Sequence, residues 1–335
     1  MDTARPFQGE VARSRAPGSA PIAASAVLPA GAGAPVGEII DGLCAPDACI
    51  SPKFLYDPLG SRLFEAITEL PEYYPTRTEA ALLEGHVGAI AQAAGEGATL
   101  IELGAGNCDK AARLFEPLRP AQYVAIDISA QFLEAELSAL RRSHPDVEMI
   151  GLGGDLTEGI RLPDEVRHER RLFLYLGSSI GNFDPDQALA LLQDIRANCG
   201  QGGGLLIGVD LLKSADVLHD AYDDPLGVTA AFNLNVLNHV NALIGSNFRV
   251  RDWTHRAFFN SSRSRMEMYL QAERDLLVAW PDGSRHFRKG QRIHTENSYK
   301  YLLGDFKSML HEAGFGRAST WTDDRQWFAL CHASV

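Results

Sequence analysis

The sequence predicts an α/β fold, a doubly wound parallel sheet joined to a second α+β domain, and it does so on three observations. Between residues 99 and 213, short apolar runs alternate with amphipathic stretches long enough for helices. The first run, "TLIEL" at 99–103, passes straight into Gly-Ala-Gly. After about residue 214 the alternation stops, and a long helical stretch gives way to extended segments around the turn "PDGS". Strands separated by helices of about ten residues need crossover connections, which build parallel sheets covered on both faces.

In chain order, residues 1–37 are rich in Ala, Pro, Gly and Ser and lack the periodic apolar residues that offset ordering entropy, so a disordered leader is expected. Folded character begins near "VGEIIDGL", and helical periodicity with Pro-bounded breaks follows. "TRTEAALLEGHVGAIAQAA" carries Thr76 and Glu79 at capping-box spacing, which predicts a helix start there. Residues 77–213 form the expected sheet domain. "TLIEL", "QYVAIDIS", "VEMIGLGGDL", "RLFLYLGSSIGNF" and "GGGLLIGVDLL" are its strands with their exits. "CDKAARLFEPL", "AQFLEAELSALRRSH" and "DPDQALALLQDIRANCG" are the helices between them, the last capped by Asp184 or Asp186. Residues 214–335 are assigned to the C-terminal part of the second domain: a helix in "LGVTAAFNLNVLNHVNALIG", antiparallel strands in "FRVRDWTHRAFFN" and "RSRMEMYLQAERDLLVAW", then a closing helix and strand. That closing pair, "SYKYLLGDFKSMLHEAG" and "QWFALCHAS", could instead rejoin the sheet; the pattern alone leaves both open.

Composition removes several functions. A formal net charge of -12 repels phosphate backbones, and the densest basic stretch, "RHERR", is short and contains a Glu, so no nucleic-acid partner is expected. Five cysteines are scattered without a CxxC pair, so neither a disulfide framework nor a metal site is expected. No run reaches the length of a membrane span and no signal pattern opens the chain, which makes a cytoplasmic monomer with no membrane partner the expectation.

A Gly-rich turn after the first strand of such a sheet lets a ligand approach the backbone closely. Counted from Gly104 and Gly106, the third glycine place of a dinucleotide fingerprint is Asp109, and no Gly-Lys-Ser/Thr of a P-loop is present. The acidic Glu102 before the turn suits S-adenosylmethionine, whose sulfonium and zwitterionic tail welcome carboxylates where a pyrophosphate forbids them. Asp127, ending the second strand, is placed to hold the ribose diol, and Asp155, after the third, lies near the adenine position. Both could instead merely cap the helices that follow.

At "YDPLGSRLFEAITELPEYYPTRTE" (56–79) the chain resembles the histidine-specific Nα-methyltransferases of ergothioneine biosynthesis. "ELGAGNCDK", "YLGSSIGNF", "AYDDPLGVTAAFNLNVLNHVN", "RSRMEMYL" and "IHTENSYKY" extend the resemblance over roughly residues 40–335. The resemblance implies a Rossmann-like class I methyltransferase sheet with a second α+β domain built from both chain ends, residues 38–76 being its N-terminal part. It implies S-adenosyl-L-methionine as cofactor, L-histidine as the small-molecule amino acid substrate and Nα-trimethylhistidine (hercynine) as product. It implies that Asn182 and Tyr222 hold the α-carboxylate and α-amino end, that Tyr73 contacts the imidazole, and that Glu296 and Ser298 hydrogen-bond its nitrogens. Tyr56 lines the pocket as the catalytic candidate and Met268 packs on the ring. Gly104, Lys110, Asp127 and Asp155 correspond to cofactor contacts.

The same residues carry that chemistry on their own terms. An amide such as Asn182 donates to a carboxylate and accepts from an amine. A Glu-x-Ser step puts Glu296 and Ser298 on one face of an extended strand, where the carboxylate accepts from an imidazole N–H. An apolar ring would leave that carboxylate unpaired, and the penalty is selective. Plainer roles compete: Asn182 as a turn residue, Glu296 as a helix start after Thr295, Met268 as core filler, Tyr73 and Tyr222 as packing aromatics. Proton loss from the amine could pass to water, to Tyr56 or to a nearby carboxylate. The rivals to histidine methylation are the same reaction on tryptophan, tyrosine or a derivative, and a cofactor-binding protein without catalysis. A nucleic-acid methyltransferase would need the Asn/Asp-Pro-Pro-Tyr loop that the chain lacks.

Overall fold

The computed structural model describes residues 34–335. The chain enters on helix α1 (Ala34–Cys44), a 3-10 turn (Pro52–Leu55), α2 (Pro58–Thr68) and α3 (Tyr74–Ala94). Helix α1 takes in the last four residues of the expected leader 1–37, whose remainder lies outside the described residues. Asp57 caps α2 by accepting from the Gly60 N–H at 2.7 Å. Helix α3 begins at Tyr74 with Pro75 in its first turn, ahead of the start expected from Thr76 and Glu79, and Glu79 is fully buried with other partners.

The alternating region folds as β1 (Thr99–Leu103), α4 (Asp109–Leu118), β2 (Gln122–Asp127), α5 (Ala130–Ser143), β3 (Glu148–Gly153), β4 (Arg171–Tyr175), α6 (Pro185–Asn198) and β5 (Gly204–Asp210). Asp184 is the N-cap of α6, and its backbone N–H donates to the Gln187 side chain at 3.1 Å. Two helices follow, α7 (Ala215–Tyr222) and α8 (Val228–Ile244), then β6 (Trp253–Asn260), β7 (Arg265–Ala272), β8 (Leu276–Trp280), β9 (Gly283–Phe287) and β10 (Arg292–Tyr299). The chain closes with α9 (Leu303–Glu312), β11 (Ala318–Thr322) and β12 (Phe328–Ser334).

The main sheet has seven strands in the order β11-β12-β5-β4-β1-β2-β3. Strands β1 to β5 pair in parallel, whereas β12 runs antiparallel to both β5 and β11. β1 and β5 are buried along their whole length, as strands covered on both faces must be. The strand order reverses beside β1, so the carboxyl ends of β1, β2 and β4 open the crevice where such sheets bind ligands.

A second apolar core joins α1, the 3-10 turn and α2 to α7, α8 and the sheet β10-β7-β6. The N-terminal segment therefore packs into this core. The C-terminal segment does not: from α9 onward the chain packs on and extends the main sheet, so the expected block 214–335 ends at β10. Hydrophobic pattern cannot choose between two cores that are equally apolar; the β12–β5 pairing over seven residues decides it.

Candidate active site

Three backbone features at the seam between the two cores shape the site. After β4, Gly177 and Ser178 both take the left-handed conformation, with φ of 79° and 58°, so the chain turns sharply into a 3-10 turn at Ser179–Asn182. The Ser178 hydroxyl accepts the Asp210 backbone N–H at 2.8 Å, which ties that turn to the end of β5. Gly181 lies so close to β10 that a Cβ would stand 2.9 Å from the Tyr299 carbonyl oxygen. Asn182, the last residue of this turn, is thereby pressed against the strand that carries Glu296 and Ser298.

The pocket at this seam is lined by the six residues assigned to substrate, Tyr73, Asn182, Tyr222, Met268, Glu296 and Ser298, and by the catalytic candidate Tyr56. Tyr56 comes from the link between the 3-10 turn and α2, Tyr73 from the start of α3, and Tyr222 from the end of α7. Met268 and Glu296 face each other across β7 and β10. Glu296 belongs to a strand, which removes the helix-start alternative; its alternation with Ser298 puts both on one face. A chain of rings walls the cavity: Tyr56 and Phe64 at 5.6 Å, Phe64 and Tyr73 at 6.2 Å, Tyr73 and Tyr222 at 6.5 Å, all edge to face. Below Tyr222, buried His255 spends one ring nitrogen on the Tyr222 carbonyl and the other on Asn233, so it acts as a strut.

Electrostatics single out Glu296. It is 7% exposed, and among the described residues nothing hydrogen-bonds its carboxylate. Burial pushes its pKa up to about 7, against the pull of Lys300. Tyr56 is held well above 10, first by burial and then by the Glu296 carboxylate. It therefore keeps its proton at neutral pH, which favours water or a carboxylate over Tyr56 among the three destinations open for the amine proton.

Asp210 lines the same pocket and is 1% exposed. It accepts from Tyr74 at 2.7 Å, from Lys300 at 2.7 Å and from Lys213. Burial drives its pKa up, but the two ammonium groups outweigh burial and hold it below the ordinary range. Lys213 is lowered to about 8 by burial despite Asp210. Sequence reasoning missed Asp210, although it ends "LLIGVD" at the same carboxyl-end position that marked Asp127 on its own strand. Ser178, Phe64 and Lys300 were missed too, although each lies inside a stretch that carries the family resemblance.

The second cluster of expected residues gathers at the ends of β1 to β3. Gly104 and Gly106 have φ of 66° and 53°, and nothing lies within 4 Å of where a Cβ would stand on either. The turn therefore faces open space that only glycine leaves free at this backbone conformation. Asp127 accepts from the Gly106 N–H and the Ser129 N–H, each at 2.9 Å, so one oxygen braces the turn and both keep a free lone pair. Lys110 pairs with buried Glu79 at 2.6 Å, and Glu79 also accepts the Gly177 N–H at 2.7 Å. That pair joins the turn after β1 to the turn after β4. Asp155 caps the 3-10 turn that follows it, at 2.9 Å from the Thr157 N–H, and pairs with Lys53 at 2.8 Å. Its plainer role as a cap is thus realised, beside a tie to the N-terminal segment that no motif announced. Glu102 departs furthest from expectation. It is 2% exposed, bonded by the Tyr123 hydroxyl and raised to about 8 by burial, so it braces the turn from behind without facing the crevice.

Comparison with known proteins follows the same line. The model of the family described as histidine-specific methyltransferase, SAM-dependent, matches residues 36–335. The chain is 38% identical over 303 residues to a histidine N-alpha-methyltransferase of Mycobacterium tuberculosis, covering 89% of this chain and 94% of that one. It is 38% identical over 299 residues to the protein of the same name from Mycolicibacterium smegmatis, covering 88% and 92%. It is 33% identical over 278 residues to ergothioneine biosynthesis protein 1 of Neurospora crassa, covering 80% of this chain and 31% of that longer one.

Proposed function

Because this chain belongs to the family of histidine-specific, S-adenosylmethionine-dependent methyltransferases, we propose that its pocket takes L-histidine and that the reaction is Nα-methylation to hercynine, a step of ergothioneine biosynthesis. The residues present suit the cofactor. The open glycine turn admits a ligand against the backbone, and Asp127 retains lone pairs for a diol. Asp127 at the carboxyl end of β2 favours a sulfonium over a pyrophosphate. Bound there, S-adenosylmethionine supplies an electrophilic methyl group.

The chain's own residues would orient, desolvate and select. Asn182, with no side-chain partner among the described residues, is free to hold the substrate's α-carboxylate or amine. The ring wall of Tyr56, Phe64, Tyr73 and Tyr222 offers π faces to an ammonium that gains methyl groups. Met268 packs beneath the ring opposite Glu296. One observation carries the choice of histidine: the buried carboxylate of Glu296 points into the cavity with no partner of its own. An imidazole N–H satisfies it and an apolar ring does not.

Steady-state kinetics test this. Wild type should prefer histidine over phenylalanine and tryptophan. Glu296→Ala should lower kcat/KM for histidine by roughly ten- to several-hundred-fold, the range for a lost hydrogen bond to a charged group, while tryptophan gains in relative terms. An unchanged histidine-to-tryptophan ratio would remove Glu296 from substrate selection.

A further inference from the structure

Lys300 lies in the same stretch as Glu296 and Ser298 but has no role assigned in the reaction, yet it is 3% exposed and bonds two residues that line the pocket, Ser298 and Tyr222. It follows β10, two residues after Ser298 and four after Glu296, on the same face of the extended chain. Its ammonium has three N–H donors and three partners: Asp210 at 2.7 Å, the Ser298 hydroxyl at 2.8 Å and the Tyr222 hydroxyl at 2.9 Å. The partners fix one another. Tyr222 accepts from Lys300, and its hydroxyl stands 2.7 Å from the Ser298 oxygen, with Tyr222 taken as the donor of that pair. The Ser298 oxygen then accepts twice, from Tyr222 and from Lys300. A hydroxyl has two lone pairs and one proton, so the direction left for the Ser298 proton is into the cavity. Asp210, itself held by Tyr74 and Lys213, keeps the counter-charge behind Lys300 and thus maintains this polarity.

We propose that Lys300 is a positioning residue for substrate selection: it commits the Ser298 hydroxyl as a donor into the pocket, opposite the acceptor Glu296. The two side chains together then demand a ring with one N–H and one bare acceptor nitrogen. This rests on the reading of the pocket as a histidine site and sharpens it. Glu296 alone excludes rings without an N–H. The committed Ser298 also excludes rings that have an N–H but lack an acceptor, because its desolvated proton would meet a C–H. Lys300 reaches no substrate atom in this arrangement; it acts through Ser298.

The test is calorimetric titration of the full-length protein saturated with S-adenosylhomocysteine, so that turnover plays no part. The probes are L-histidine, β-(pyrrol-2-yl)alanine and β-(pyrrol-3-yl)alanine; each pyrrole keeps one N–H and has no acceptor nitrogen. In wild type both pyrroles should bind about tenfold or more weaker than histidine, the effect of leaving one buried donor unmet. In Ser298→Ala that preference should collapse, and in Lys300→Met it should fall at least about threefold, because the hydroxyl proton is no longer committed. A Lys300→Met/Asp210→Asn double variant, which removes both charges of the buried pair together, should narrow the preference in the same way and guards against a folding defect in the single variant. Either pyrrole binding wild type as tightly as histidine would overturn the proposal. So would a preference that collapses in Ser298→Ala but stays intact in both Lys300 variants. Failure of wild type to bind histidine at all would overturn the underlying assignment, and this proposal with it.

Discussion

Replacing Glu296 with Gln should make the protein more stable at high pH than at low pH relative to wild type. The carboxylate is buried without a partner among the described residues, and its pKa is pushed up to about 7 from the ordinary 4.5. A group whose folded pKa lies above its unfolded value stabilises the fold below the unfolded pKa and loses that contribution as pH rises through the folded one. The distance from 4.5 to about 7, at about 1.4 kcal/mol per pH unit, corresponds to a destabilisation of about 3 kcal/mol once the group is charged in both states. Roughly 2 kcal/mol of it should develop between about pH 5.5 and pH 8. Gln keeps the shape and does not titrate, so the comparison cancels packing changes that do not depend on pH. The assay is urea unfolding of both proteins at the two pH values, without ligands. The Gln variant should gain about 2 kcal/mol on wild type from the lower to the higher pH. A difference between the two proteins that is flat with pH would mean that Glu296 is solvated or paired, contrary to its burial without a partner.

Two further outcomes follow from the site geometry. Gly181→Ala places a methyl group 2.9 Å from the Tyr299 carbonyl oxygen, so the turn carrying Asn182 must shift off β10; a loss of about 1–3 kcal/mol in unfolding free energy is expected, with a raised KM for the amino acid and an unchanged Kd for S-adenosylhomocysteine. Asp127→Ala removes both the brace on Gly106 and the carboxylate at the end of β2; calorimetry should show S-adenosylhomocysteine weakened by about 1.5–3 kcal/mol, and unchanged affinity would take Asp127 out of the cofactor site.

Where sequence reasoning succeeded, the relevant information was local. The end of β1, the glycine turn and Asp127 are contiguous or adjacent in a repeated strand-helix pattern, and each stands where that pattern puts it. The seven pocket residues were reached through motif resemblance, because they come from five separate segments that only tertiary packing brings together. Three failures share a cause. Glu79 satisfied a capping-box spacing, but its carboxylate is drawn inward to Lys110 and the Gly177 N–H, and Gly208 leaves the room it occupies. Glu102 sits one residue before Leu103, and strand alternation turns it away from the crevice toward Tyr123. The closing helix and strand look alike whichever core they join, and β11, in "ASTWT", is too weakly apolar to announce itself. The tie of Asp210 to Lys300 and Ser298 is invisible to spacing, because Asp210 ends β5, long before them in the chain, and only tertiary packing brings it to their side of the pocket.

The proposed activity is methylation of the α-amine of histidine. Its most direct test is mass spectrometry of the purified protein incubated with S-adenosylmethionine and an equimolar mixture of the common amino acids. Histidine should be consumed first and acquire successive methyl groups, ending at three, all on the α-nitrogen by fragmentation. Methyl groups on tryptophan, tyrosine or another amino acid with histidine untouched would contradict it.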